Sequence, residues 1–574
     1  MGCTSSIPTS NVDNKMSSSK PADGSPRQSS HKNVRVKRLP RQETLELDAA
    51  VQNYIPLSTW SSPPTSKQTE KTFTNVLLLG ESGVGKSTFI NAFVNYLKFD
   101  TLELARNGQP ITVMPVSFLL TVGNNFDERI VRFGDDDSNE IFDHPGQSVT
   151  QQCKSYVFTI GTRTKLRLID TPGMGDTRGI DQDDLNMQKI LSFINNLPHV
   201  NAICILLKPN ESRLNAGFRS YFSRLIEFLG ENVRNNIIFC FTNTRATFFT
   251  PGNTTVQLRE MLANLRIKDI PFKKSNTFCF DSESFRYIVA CQNRIDFEES
   301  QKQDYEESWA YSVKESMRLL TYICVDLQMN SRTEWKSINY ARFQINQMIR
   351  PMLETIRNLF RNLILHEEKS STKFIELSSI PIYYPSSICI KCKRTLKCCN
   401  DFWVYSDQTH IIWEKCPQCD CSRDSHIDVN YPLDYKSFDN TNSQYIDEIK
   451  MELHQLKEAI ITFGNFISNT NQTVHLSSDP ILTFLNRIVS EENYICVEKQ
   501  TEDLNSILKN KLDEFHAEYQ QRSSKSESNR NSIDLEKIYK QIEKITQMET
   551  IRNQMNSIEQ YNKTYMEQQE KVLC

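Results

Sequence analysis

The sequence predicts an α/β domain, in which helices cover both faces of a mainly parallel sheet, followed by a small Cys-rich module and an α-helical region. Three observations predict this order. Short apolar runs alternate with amphipathic stretches over residues 72–293, seven of the sixteen cysteines fall within residues 389–421, and apolar residues recur at heptad spacing after residue 445. The runs expected as strands are 75–79, 165–169, 202–207, 237–241 and 277–280.

Length and charge exclude several classes of protein. The chain has 574 residues, and at roughly 150 residues per domain it should form about three or four folded units. Its 67 Lys and Arg nearly balance its 70 Asp and Glu, so no global field favours nucleic acid as a partner. No apolar run reaches the roughly 18 residues of a spanning helix, and no secretory signal is present. We therefore expect a cytoplasmic protein.

Five segments are expected along the chain. The first lacks a sustained apolar period and is rich in Ser, Pro, Asn, Gln and Lys, which predicts disorder. In the third, apolar residues from Ile345 to Leu363 mark one face of a long helix that Pro351 should kink. The segments are a disordered basic arm (1–71), the α/β domain (72–293), a helical segment (294–379), the Cys-rich module (380–432) and a helical or coiled-coil-like region (433–574).

The last segment carries two heptad runs. Runs this short favour one seam of an intramolecular helical bundle over a dimeric coiled coil, although both remain open. We expect protein partners to bind through this region. The apolar positions are Ile446, Ile449, Leu453, Leu456, Ile460 and Phe463, and then Leu535, Ile538, Ile542 and Ile545.

The apolar run 75–79 ends in a glycine-rich loop, GESGVGKS, that opens a helix expected near Lys86. Backbone N–H groups of such a loop can point at phosphate, because glycine permits the required dihedrals, and the helix N-terminus adds its dipole. Lys86 should hold the β- and γ-phosphates, and the Ser87 hydroxyl should bind Mg²⁺. The alternative is a chance glycine turn. The predicted nucleotide-binding residues here are Gly80, Glu81, Ser82, Gly83, Val84, Gly85, Lys86, Ser87 and Thr88.

A second motif follows the run 165–169, where Asp170 is followed by Thr, Pro and Gly173. A carboxylate at this edge of the sheet can reach Mg²⁺ through water, while the Gly173 N–H faces the γ-phosphate. Each motif supports the other. The chain between them leaves room for a long switch segment between residues 105 and 151.

The segments GQSVTQQC (146–153), IDTPGMGD (169–176) and KPNESRLN (208–215) together resemble the septin-like branch of P-loop GTPases, which includes the immunity-associated (AIG-type) GTPases. The resemblance covers about residues 73–290. It implies a GTP-binding switch whose nucleotide state controls association through the sheet edge or switch face. It also implies that Thr150 completes the Mg²⁺ shell with Ser87 and Asp170, although other nearby Ser and Thr residues could do so.

Base recognition departs from the family pattern. The usual Asn/Thr-Lys-x-Asp is replaced by TNTR at 242–245, so the carboxylate that pairs with guanine is missing. Arg245 cannot replace it, because guanidinium and that edge of guanine both donate hydrogen bonds. Asp281 or Glu283 could supply acceptors, or could simply cap a loop. Guanine is therefore expected from the resemblance, adenine is not excluded, and Thr242 and Asn243 are the predicted base-side residues.

Hydrolysis is expected to be slow, because Met174 stands where Ras-like enzymes carry the glutamine that orients water. Arg213 matches an arginine of the AIG-type GTPases and could act across a nucleotide-dependent homodimer, or form only a surface salt bridge. The alternative function is a non-hydrolysing adaptor with a degenerate nucleotide-binding domain. The residues expected to act in catalysis are Lys86, Thr150, Asp170 and Gly173.

The Cys-rich module contains two Cys-x2-Cys pairs separated by a spacing close to that of paired zinc knuckles. Four thiolates in this layout predict a structural Zn²⁺ site, and reduced packed cysteines are the alternative. The predicted zinc ligands are Cys389, Cys392, Cys416 and Cys419, with Cys398, Cys399, Cys421, His410 and His426 as spare candidates.

The N-terminal sequence MGCTSS fits the myristoylation pattern at Gly2, with Cys3 beside it as a palmitoylation acceptor. Two acyl chains anchor a protein stably, and eight Lys and Arg against two Asp in residues 1–41 would add attraction to anionic lipid. We therefore expect the cytosolic face of a membrane, most simply the plasma membrane. An unmodified soluble tail is the alternative.

Overall fold

The computed structural model describes residues 73–573, and the predicted arm with Gly2 and Cys3 lies outside this range. Within the described residues, no helix is long and apolar enough to span a membrane. Arg213, Cys392, Cys416 and Cys419 also lie outside the described residues. The gaps are 124, 136–138, 140–149, 161–163, 176–179, 212–213, 332–334, 385, 390–393, 407–425, 471–478, 500–503 and 525–533.

The strands, numbered in chain order, are β1 (Phe73–Gly80), β2 (Val116–Val122), β3 (Asp127–Phe133), β4 (Lys154–Ile160), β5 (Thr164–Asp170), β6 (His199–Val200), β7 (Ala202–Leu207), β8 (Ile237–Phe241), β9 (Thr277–Cys279), β10 (Asn330–Ser331), β11 (Lys373–Ser379), β12 (Ser386–Cys389), β13 (Thr395–Cys399), β14 (Phe402–Ser406), β15 (His426–Val429), β16 (Leu433–Asp439) and β17 (Glu570–Leu573).

Among the described strands, seven form one sheet in the order β17-β4-β5-β1-β7-β8-β9. The strands from β5 to β9 in this order run parallel to one another and coincide with the five apolar runs predicted as strands. The mainly parallel sheet is thus confirmed. Strand β4 is antiparallel to β5, and β17 pairs parallel to β4 at the edge. Neither β4 nor β17 was predicted as a strand.

The helices, also in chain order, are α1 (Lys86–Lys98), α2 (Leu102–Asn107), α3 (Ile180–Asn195), α4 (Ala216–Leu229), α5 (Thr254–Asn264), α6 (Glu283–Gln292), α7 (Glu299–Thr321), α8 (Ile338–Lys369), α9 (Tyr445–Thr470), α10 (Pro480–Lys499), α11 (Leu504–Ser524), α12 (Leu535–Thr546) and α13 (Glu549–Gln568).

Helices cover both faces of the large sheet, as predicted. Successive side chains of a strand point to opposite faces, so Leu78 packs with Phe89 of α1, whereas Leu77 packs with Ile190 of α3 and Phe222 of α4. Both layers are fully buried. The carboxyl ends of the parallel strands therefore lie together at one end of the sheet, between the two helix layers.

Helix α7 also packs on this domain. Its Trp309 is buried, donates from Nε1 to the carbonyl oxygen of Phe99 at 3.0 Å, and stacks edge-on against Tyr96 of α1 at 4.7 Å between ring centroids. The α/β domain thus gains a helix from the segment predicted to be a separate helical unit.

Helix α8 is the centre of the helical region and runs through Pro351 without a break. Its apolar face shares one buried cluster with α9, α10, α11, α12 and α13. The heptad positions Ile449, Leu453 and Ile460 of α9 lie in this cluster, so they are buried within a single chain. Three two-stranded antiparallel pairs, β11–β16, β12–β15 and β13–β14, lie in the Cys-rich and neighbouring segments.

The zinc prediction can be followed only in part. Cys389 is buried at the end of β12, where it pairs in register with His426 of β15. Cys399 is also buried and its thiol faces the carbonyl oxygen of Tyr435 at 3.9 Å. Within the described residues, no three His, Cys, Asp or Glu side chains lie close enough together to hold a metal ion.

Candidate nucleotide-binding site

The glycine-rich loop joins β1 to α1 at the open edge of the sheet. Gly83 and Gly85 have φ values of 74° and 97°, a region that side chains with a Cβ rarely adopt. Gly80 approaches β7 so closely that a Cβ there would lie 2.8 Å from the Leu206 carbonyl oxygen. The glycines therefore let the loop turn tightly, with the N-terminus of α1 directed into its centre.

Lys86 is held over this loop by the loop itself. Its Nζ donates to the carbonyl oxygens of Gly80 at 3.0 Å and Glu81 at 3.1 Å, and the residue is 7% exposed. These two carbonyl oxygens fix the position of the ammonium group. Such a preorganised cation suits a polyanion such as a nucleotide phosphate chain.

Asp170 ends β5 beside the same loop and is fully buried. Its carboxylate accepts from the Thr171 N–H at 3.0 Å and from the Thr150 hydroxyl at 3.3 Å. Burial raises the pKa of Asp170 to about 6, against the lowering effects of Lys86 and Thr150. The structure therefore brings together Thr150 and Asp170, which the sequence separates by twenty residues.

A divalent cation fits this donor set. Hydroxyl and carboxylate oxygens are the ligands that Mg²⁺ prefers, and Asp170 is a buried carboxylate with a raised pKa. Ser87 begins the first turn of α1 and is only half-buried. Ser87, Thr150 and Asp170 would hold the ion.

The turn after Asp170 docks on the loop. A Cβ on Gly173 would lie 2.7 Å from the Cα of Ser82, so only glycine fits there. The Met174 N–H donates to the Gly80 carbonyl at 3.3 Å, and the Ser82 N–H donates to the Met174 carbonyl at 2.8 Å. The Met174 side chain is 1% exposed and belongs to the apolar core.

The segment that precedes α4 completes the wall of the site. The Asn215 N–H donates to the Glu81 carboxylate at 3.1 Å, and burial raises the pKa of Glu81. Gly175 has a φ of 68°, and a Cβ there would lie 2.7 Å from Asn215 Nδ2. Sequence reasoning gave Glu81 and Asn215 no such contact, and nothing in their spacing indicates it.

The residues expected on the base side are mostly committed to other contacts. The Thr242 hydroxyl donates to the Val84 carbonyl at 2.9 Å, so Thr242 supports the loop from below. Asn243 is exposed at the end of β8 with a φ of 55°. Arg245 bonds Glu283 at 2.9 Å.

Asp281 and Glu283 differ in their availability as acceptors. Asp281 is fully buried, accepts from the Ser308 hydroxyl at 2.7 Å, and has its pKa raised by burial. The Glu283 side chain is 38% exposed and pairs with Arg245, whose guanidinium lies over the Tyr305 ring at 4.8 Å. Of these two carboxylates, only Glu283 reaches the surface.

Comparisons with known proteins add little. No family model matches the chain, and no curated protein matches it. Among solved structures it is similar to Toc33 from Arabidopsis thaliana in complex with GDP and Mg²⁺, at 12% identity over 45% of this chain and 87% of that one, with a TM-score of 0.25. Era in complex with MgGDPNP and ribosomal RNA matches at 11% identity over 40% and 59%, with a TM-score of 0.22. A septin GTPase domain from Chlamydomonas reinhardtii matches at 15% identity over 38% and 69%, with a TM-score of 0.19.

Proposed function

We propose that the chain is a GTP-binding switch of the septin-like, AIG-type kind, which hydrolyses GTP slowly and acts through nucleotide-dependent association. The observation that carries the proposal is the position of Lys86, bonded to the loop carbonyls of Gly80 and Glu81 beside the Thr150–Asp170 pair. The fixed Lys86 ammonium group next to buried oxygen ligands suits a nucleoside triphosphate with Mg²⁺.

Lys86 would bind the β- and γ-phosphates, the loop N–H groups would cradle them, and Ser87, Thr150 and Asp170 would hold Mg²⁺. When bound, the ion would supply positive charge to these phosphates. The test is chromatography of the nucleotide that copurifies with the intact protein. A guanine nucleotide in about equal amount to protein is expected, and an adenine nucleotide would overturn the base assignment.

Slow hydrolysis is supported by the burial of Met174, since a thioether packed in the core cannot orient water. A second copy of the chain could supply Arg213, which follows the AIG-type pattern. Specific activity should then rise with protein concentration, and Arg213→Ala should flatten that rise without weakening binding, since an arginine supplied in trans can contribute about 10³-fold or more. A fast rate independent of concentration would contradict this.

The second candidate function is a non-hydrolysing adaptor. The Arg245–Glu283 ion pair favours this function. Of the two candidate carboxylates for base recognition, Asp281 and Glu283, only Glu283 reaches the surface, and it already pairs with Arg245. Protein that purifies without nucleotide and gains no thermal stability from GTP or ATP with Mg²⁺ would favour the adaptor.

Membrane tethering is proposed from the sequence pattern at Gly2 and Cys3. Gly2→Ala should move the protein from the membrane to the soluble fraction, and Cys3→Ser should weaken retention, because a single acyl chain binds only marginally. Unchanged fractionation of both variants would exclude the anchor.

A structural zinc site is likewise proposed for Cys389, Cys392, Cys416 and Cys419. Elemental analysis should find about one zinc per chain, and replacing Cys416 and Cys419 together by Ser should remove it and destabilise the module. Full retention of metal by that variant would exclude this ligand set.

A further inference from the structure

The outer edge of β4 is covered by β17, a strand that the sequence places far from it. Glu570 pairs with Ser155 and Leu573 pairs with Phe158 in parallel register. The Ser155 N–H donates to the carbonyl oxygen of Gln569 at 2.9 Å. The edge that would otherwise present unpaired backbone groups is therefore occupied by a segment of the same chain.

Side chains fix this pairing. Arg167 of β5 forms an ion pair with Glu570 at 2.7 Å, and the two side chains are 12% and 19% exposed. Arg167 also donates to Asn75 of β1 at 3.1 Å. Lys571 Nζ donates to the Val113 carbonyl at 2.8 Å. Strand β17 is thus tied directly to β5, which ends at Asp170, and through Arg167 to β1, which leads into the glycine-rich loop.

The covered edge begins next to the switch threonine. Strand β4 starts only a few residues after Thr150, and the connecting Gln152 accepts from the Tyr565 hydroxyl at 3.2 Å. Thr150 itself contacts Asp170. If Thr150 moves during nucleotide exchange, the chain from Gln152 into β4 should move with it. This is the segment that Tyr565 and β17 contact.

The other end of this element is anchored in the helical region. Gln554 of α13 accepts from the Tyr431 hydroxyl at 3.0 Å and donates to the Thr355 hydroxyl of α8 at 3.1 Å. Ser557 contacts Ser379 of β11 at 2.8 Å. One continuous stretch, α13 with β17, thus reaches from the helical core to the edge of the switch strand.

We infer that residues 569–573, here named the latch, form a nucleotide-sensitive intramolecular docking element on the edge of β4. The inference rests on the proposed function. Thr150 contacts Asp170 while the latch is docked, so binding of nucleotide with Mg²⁺ should strengthen the latch. By the same coupling the latch should tighten nucleotide binding, and we expect this to slow nucleotide release. Lys571 and Val572 are exposed, so opening uncovers little core.

Glu570→Arg in the full chain tests the latch, with Glu567→Arg as the matched control, because Glu567 is exposed on the last turn of α13. A chain ending at Gln568 is the second variant, since it removes β17 but keeps α13. The readouts are the release rate of a fluorescent GDP analogue and amide exchange of residues 154–160, with and without GDP and Mg²⁺. Both latch variants should release nucleotide about five- to tenfold faster, and Glu567→Arg should not.

Amide exchange separates the latch from a purely structural edge strand. In the wild type, residues 154–160 should exchange more slowly when GDP and Mg²⁺ are bound, and this difference should shrink in both latch variants. The swap Arg167→Glu with Glu570→Arg should recover part of the slow release. If the wild type binds GDP but all variants release it at the wild-type rate, the proposed role of the latch is wrong, while the proposed nucleotide binding is retained. If the wild type binds no nucleotide, the proposed function and the latch both fail.

Discussion

Two carboxylates, one in the α/β domain and one in the helical region, differ in how the protein compensates their charge. Asp170 is fully buried, and the Glu491 side chain is 15% exposed. Burial raises the pKa of Asp170 to about 6, with Lys86 and Thr150 only partly opposing it. Burial also acts to raise the pKa of Glu491, but Arg357, Arg394 and Arg487 outweigh it and hold the value at about 2. Nearby positive charges do not offset the cost of burying the Asp170 carboxylate, whereas the three arginines around Glu491 more than offset it.

This difference is the one expected between a site that binds a ligand and a site that only stabilises the fold. When a cation binds beside a carboxylate that has few positive partners, it stabilises the ionised form of that carboxylate. Carboxylates with such perturbed pKa values cluster at functional sites. A carboxylate among several arginines needs nothing further, and its loss leaves unpaired buried charge. The proposed nucleotide site should therefore change its stability when a ligand binds, whereas the stability of the helical region should depend only on its own charges.

The largest effect is expected from Glu492→Gln in the helical region. Glu492 is fully buried and accepts from Arg357 at 2.6 Å, Arg361 at 2.9 Å and Asn505 at 2.9 Å. Removing its charge leaves two buried guanidinium groups undercompensated, which should lower the free energy of unfolding by about 3–5 kcal/mol. Urea denaturation measures this, with the exposed Glu514→Gln as control. A loss below about 1 kcal/mol would contradict the proposed difference between the regions.

Lys86→Ala should produce the largest effect on ligand binding. It removes charge-assisted bonds to phosphate, each of about 1.5–3 kcal/mol, so nucleotide affinity should fall about 100-fold or more. Lys98→Ala, at the far end of α1, is the matched control and should bind normally. Titration with a fluorescent nucleotide decides the outcome, and equal affinities for the two variants would refute the site.

Glu491 should make stability fall in acid. Its pKa is about 2 when folded against 4.5 when free, so the stabilisation is complete above pH 4.5 and is lost as pH falls toward 2. The shift corresponds to at most about 3 kcal/mol. Glu491→Gln should therefore flatten the decline of the unfolding free energy between about pH 5 and pH 3. Parallel curves for the variant and the wild type would show that other carboxylates dominate.

The smallest effect is expected from Thr242→Val. The hydroxyl of Thr242 donates to the Val84 carbonyl, so its loss leaves a buried acceptor without this donor and should cost about 1–2 kcal/mol of stability. Nucleotide affinity should fall only a few-fold, because the loop is loosened while Lys86 remains. The ratio of GTP to ATP affinity should not change, and a changed ratio would place Thr242 at the base instead.

Much of the α/β domain could be predicted from the sequence, because its signals are local. Strand β8 was predicted with the bounds that the structure has, and α1 begins at Lys86, where the glycine-rich loop predicts a helix start. Apolar runs and glycine loops act over a few residues, so they are readable without knowledge of the fold. The same local reading did not predict β4 or β17.

The sequence by itself determined the parallel sheet, the glycine-rich loop and the apolar faces of the long helices, since each depends on neighbours along the chain. Only the tertiary structure decided which charged residues are paired and which strand covers the sheet edge. Arg357 meets Glu492 across 135 residues, and Arg167 meets Glu570 across 403. Local patterns cannot encode such pairings, because they arise from the packing of whole elements after the chain has folded.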